Sequence, residues 1–145
     1  MAVKTKAFRI GHAVDADWDT MVRSCLKQVE PVPESANLGF VYVTDTLDGD
    51  LPLVAEMLRE KTGVQHWVGT VGYGVMIGGR EYFDVPAVVT MLGSLPAEAF
   101  RVIPTIDRPG DPLPDDIMNW VELNNPTLGV VHADPRNAYI ADILN

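Results

Sequence analysis

The chain is poor in the residues that most often announce a chemistry. Of its 145 residues one is cysteine, three are histidine, and 11 are lysine or arginine against 20 acidic residues. The lone cysteine, Cys25, excludes an internal disulfide framework and any multi-cysteine metal site, and it points to a reducing cytoplasmic compartment. A net charge of -9 works against nucleic acid and anionic lipid, whose phosphates need a basic face. No run of about 18 apolar residues is present to span a membrane. Met1 to Lys6 carry two lysines but lead into a short strand without a sustained apolar stretch, which does not read as a signal peptide. There is no G-x-x-x-x-G-K-[ST] phosphate cradle, no G-x-S-x-G elbow and no internal repeat, and no cofactor is expected.

What is present is the composition of a globular domain, 47% hydrophobic and 21% charged, and its length suits one domain over 1–145. Ala7–Ala13 alternates as a strand, and Asp15 and Asp17 are placed to cap the helix behind it. In that helix Trp18, Met21, Val22, Cys25, Leu26 and Val29 form one apolar stripe, which makes Cys25 a buried small hydrophobe. Pro31 and Pro33 end it. Leu38–Thr44 reads as a strand buried on both faces, and a second helix runs from Leu51 through Leu58 to a stop at Gly63. Val64–Val71 is the third strand, and this order predicts parallel pairing through right-handed crossovers. Beyond it, Met76–Arg80 reads as a turn region and Val85–Leu92 and Phe100–Ile103 as strands without helices between them. The fold class is therefore α/β, with a mixed, mostly parallel sheet, helices packed on it and antiparallel strands in the second half.

Four of the eleven prolines fall between Pro104 and Pro114, an extended surface loop rather than a domain boundary. Ile117–Leu123 reads as a short helix and Leu128–Ala133 as a last strand. Asp134 and Pro135 then read as the cap and first turn of a closing helix.

The densest local signal is Val68-Gly69-Thr70-Val71-Gly72-Tyr73-Gly74-Val75, a β-branched run that breaks into closely spaced glycines. Glycine at a strand exit means a sharp turn or a close approach, and in α/β domains such exits line ligand crevices. The spacing is not the dinucleotide fingerprint, because three residues rather than two precede Gly78 and no helix follows. Arg80, behind Gly78-Gly79, is either an anchor for a ligand carboxylate or a solvated turn cation. His12, His66 and His132 raise a cross-sheet metal site, but nothing in their spacing forces them together, and no metal is expected. A hydrolase would use Thr70 or Ser94 with His132 and Asp134; no nucleophile–base pair is legible, so a non-enzymatic module is the expectation.

Gly39-Phe40-Val41-Tyr42-Val43, the Val68–Val75 segment, Val85-Pro86-Ala87-Val88-Val89-Thr90-Met91-Leu92 with Leu95-Pro96, and Val130-Val131-His132-Ala133-Asp134-Pro135 together resemble the N-terminal half of a FIST domain. The resemblance covers about Leu38 to Leu144. It implies a sensory input module for signal transduction that binds small ligands such as amino acids. Where the family usually has a small polar pair after the glycine matching Gly69, Thr70 is polar and Val71 is not. The family's N-terminal half is normally followed by a C-terminal half, so the chain is expected to be an excised half or a free-standing version. In the first case a C-terminal FIST half is the partner; in the second, a homodimer partner supplies it. The ligand is expected near Thr70, Gly72, Tyr73, Gly74, Arg80, His132 and Asp134. The alternative is an interaction or oligomerisation module with apolar surface near Met118, Trp120, Tyr139 and Ile143.

Overall fold

A computed structural model describes residues 8–144, which form two compact units divided after Phe100. Ala7 and Met1–Lys6, where the sequence reading begins, lie outside the described residues. The first unit contains β1 (Phe8–Val14), α1 (Trp18–Val29), β2 (Leu38–Thr44), a 3-10 turn (Asp45–Asp50), α2 (Leu51–Thr62), β3 (His66–Gly72), β4 (Gly74–Ile77), β5 (Arg80–Phe83) and β6 (Ala87–Gly93). The second contains α3 (Asp115–Asn124) and the one-turn α4 (Ile140–Ile143).

The fold is α/β with a mixed sheet. Its strands run in the order β1-β6-β2-β3, with β2 and β3 parallel and the other two ladders antiparallel. The first two strands do run in the same direction, as the helix between them predicts, but they are not neighbours: β6 enters between them. Two side chains flanking β2 hold it there. At one end buried Thr44 Oγ1 donates to the Val85 carbonyl (2.8 Å) and accepts the Ala87 N–H (2.9 Å). At the other the Asn37 amide donates to the Leu95 carbonyl (2.8 Å) and accepts its N–H (3.1 Å), as a strand backbone would. Long-range bonds of this kind leave no periodic trace, so the sequence pattern shows strand β6 without showing its neighbours.

One face of the sheet is covered by α1 and α2. Asp17 caps α1 by accepting the Thr20 N–H (2.9 Å) and hydroxyl (2.7 Å), and those bonds hold its carboxyl below the usual carboxylate range. The apolar stripe of Met21, Val22, Cys25 and Leu26 then meets Val41 and Val43 of β2, Val88 of β6, and Val54, Met57 and Leu58 of α2. A helix can lie this close to β1 because residue 11 is glycine: a Cβ there would stand 2.6 Å from the Cys25 carbonyl oxygen. The open edge of β1 is partly closed by Gln28, whose amide donates to the His12 carbonyl (2.7 Å) and accepts its N–H (3.3 Å). Gly63 ends α2 in the left-handed region (φ 73°), as read from the sequence.

Three sequence expectations are corrected. Met76 and Ile77 belong to strand β4, and the turn is confined to Gly78-Gly79, both at positive φ. Phe100–Ile103 and Leu128–Ala133 form no strand; a β-prone segment becomes one only when its N–H and C=O groups find a neighbour, and the second unit has no strand among the described residues. Asp134 does not cap a helix. Its carboxylate accepts the Arg136 N–H (2.9 Å) and guanidinium, a local turn that delays the last helix to Ile140.

Candidate functional site at the glycine corner and hairpin

The glycine-rich segment is a corner that carries the chain from one sheet to another. β3 forms an edge of the main sheet, and a Cβ at Gly69 would lie 1.7 Å from the carbonyl oxygen of Val41, its register partner on β2. No side chain fits there. Gly72 closes β3, Tyr73 alone makes the bend with 87% of its surface exposed, and Gly74 opens β4 beneath the ring of its partner Phe83. Thr70 is half-buried on β3, its hydroxyl 3.4 Å from the Val71 carbonyl.

The β4–β5 hairpin then folds over the second face of the sheet. Val75, Ile77 and Tyr82 pack with Tyr42, Ala87 and Val89. Strand alternation puts Phe8, Ile10 and His12 on this face. Tyr82 Oη reaches His12 Nδ1 at 2.6 Å, so the hairpin is tied to the far edge strand β1. The turn passes close to Ile10, whose Cδ1 is 3.4 Å from where a Gly78 Cβ would be. Coverage is incomplete: Phe8 and Ile10 remain 41% and 43% exposed.

Arg80 stands at the turn end of the hairpin, paired with Ile77, exposed and without an ion pair among the described residues. Three register steps separate it from Gly74, about 10 Å at strand rise. The structure therefore groups Thr70, Gly72, Tyr73 and Gly74 at the corner and sets Arg80 apart at the tip.

His132 and Asp134 belong to the second unit. Burial pushes the His132 imidazole below its ordinary value, and hydrogen bonds from Arg136 hold the Asp134 carboxyl below its own. Of the hydrolase candidates, Ser94 is in a hydroxyl pair with Ser35 (3.1 Å), and the Asp134 carboxylate is occupied by Arg136. His12 and His66 sit on opposite edges of the main sheet, three strand spacings or about 14 Å apart across it and a further four residues or about 13 Å apart along it. Among the described residues no group of three or more His, Cys, Asp or Glu side chains could hold a metal ion, and no helix is long and apolar enough to cross a membrane. Burial pushes the Cys25 thiol up to about 12, which removes it as a nucleophile at neutral pH.

Tyr82 is the residue at this site that sequence reasoning missed. Its signal was the alternation Glu81-Tyr82-Phe83 behind a Gly-Gly turn, which is the mark of a hairpin strand. No family model and no curated protein matches the chain.

Proposed function

We propose that the chain is a small-ligand-binding module of FIST type, a cytoplasmic sensory input without catalytic activity of its own, whose ligand carries a carboxylate. The observation that carries this reading is Arg80: an exposed cation, unpaired among the described residues of a chain of net charge -9, at the tip of a hairpin beside the incompletely covered Ile10. A guanidinium takes a carboxylate through two parallel hydrogen bonds, and an apolar side chain finds Ile10 beside the turn. Amino acids have both parts. In this reading the corner at Gly69, Gly72 and Gly74 sets where the hairpin lies, and Thr70 and Tyr73 border it. A ligand at the tip would stiffen the hairpin, which is a signal that an output partner can read.

A thermal-shift screen against the amino acids tests this directly. A ligand at 100 times its dissociation constant adds about 2.7 kcal/mol of stability. Arg80→Ala is expected to abolish that gain while changing the ligand-free stability by no more than about 0.5 kcal/mol. No stabilisation by any amino acid at millimolar concentration removes them as ligands, and unchanged affinity in the variant makes Arg80 a solvated turn residue.

A second reading, an interaction or oligomerisation module, is favoured by the second unit. Leu123 and Leu128 are exposed by 84% and 82%, and Val130, Val131, Met118 and Tyr139 are also exposed. Trp120 is half-buried under the Arg101 guanidinium, 5.3 Å from its ring, and Ile143 is half-buried. Light scattering on the full chain separates the readings: a dimer supports this one, and a strict monomer at high concentration that binds no apolar dye removes it.

A further inference from the structure

α1 and α2 leave a groove of about 280 Å³ between them, away from the corner and hairpin. Trp18, half-buried against the main core, lines it from α1, and Leu53 and Met57, one helical turn apart, line it from α2. Its charges do not balance. Arg23 is held by Asp19 at 2.5 and 3.1 Å, and Lys61 by Glu60 at 2.9 Å, so both cations are already neutralised. Glu56, on the same groove, is exposed and has no ion pair among the described residues.

An anion entering here finds no free cation, and an inorganic cation gains nothing from Leu53 and Met57. An ammonium group on a short aliphatic stem uses what the two ion pairs leave: Glu56 as counter-ion, the Trp18 indole for the cation, and the two apolar side chains for the stem. The volume, just under the range of about 300–1,000 Å³ for drug-sized ligands, suits a stem of a few carbons rather than a protein segment. We propose that the α1–α2 groove is a binding site for a small organic ammonium ion, with Glu56 as its counter-ion and Trp18 as its aromatic wall. This site is independent of the Arg80 reading.

The test titrates the full chain with n-butylammonium and follows the indole N–H resonance of Trp18, with n-butanol and sodium ion as controls at matched ionic strength. A saturable movement is expected for the amine alone. Glu56→Gln, an exposed substitution, should weaken it about five-fold, the value of one solvent-accessible ion pair. Leu53→Ser should weaken it as well, by removing the apolar floor. The proposal is overturned if n-butanol or sodium moves the resonance equally, if Glu56→Gln binds as the parent does, or if millimolar amine produces no saturable movement. Arg80→Ala, on the other face of the sheet, should leave this titration unchanged; a changed affinity there would mean that the amine is not bound in the groove alone and would overturn the proposal.

Discussion

The two faces of the main sheet are covered very differently. Beneath the helices Met21, Val22, Cys25, Val43, Val54 and Leu58 are fully buried, and two twelve-residue helices supply the cover. Beneath the hairpin the cover is two four-residue strands, and Phe8 and Ile10 stay more than two-fifths exposed. A sheet needs only one well-packed face to be stable, and here the helical side is the better packed of the two. The hairpin is held by a corner of glycines, a small apolar cluster around Val75, Ala87 and Val89, and one Tyr82–His12 hydrogen bond.

This contrast predicts a graded set of responses. The largest belongs to the helical face: Leu58→Ala should cost about 2–5 kcal/mol in denaturant unfolding, against about 1 kcal/mol for Ile10→Ala on the other side. Equal costs would erase the distinction. Next comes the clamp on β6, where Thr44→Val removes a donor and an acceptor and strands the part-buried Val85 carbonyl and the buried Ala87 N–H. That loss should amount to about 1–3 kcal/mol.

Smaller again is Tyr82→Phe, at about 0.5–1.5 kcal/mol for the hydrogen bond to His12. Its more telling sign is faster amide exchange in β4 and β5 with β2 unchanged. The smallest response is at Cys25, buried under the helices with its thiol raised to about 12. Alkylation by iodoacetamide at neutral pH should be negligible in the folded chain and appear only in denaturant, and rapid native labelling would mean that the helical face opens.

How much of this was legible in the sequence follows from the range of the interactions concerned. The stripe of α1, the Asp17 cap and the Gly63 stop are written in local periodicity and capping chemistry, and each is found where it was read, while the burial of β2 on both faces is complete except at half-buried Phe40 and Tyr42. The insertion of β6 between β1 and β2 rests on Thr44 and Asn37, more than 40 residues from their partners, and no short-range pattern encodes it. Leu128–Ala133 has the composition of a buried strand but no ladder, because composition reports a preference and pairing needs a neighbour. At the candidate site, the glycines pointed to close approach, which Gly69 against Val41 shows. They did not reveal that Arg80 lies a hairpin's length from the corner, since that depends on the β4–β5 register.

The central claim, that the helical face holds the fold while the hairpin is loosely attached, is met most directly by native-state hydrogen exchange resolved by residue. The account predicts that amides in the β2–β6 ladder exchange only through global unfolding, and that those pairing Val75 with Tyr82 and Ile77 with Arg80 exchange through a local opening of lower free energy. Protection of the hairpin equal to that of the central ladder would contradict it.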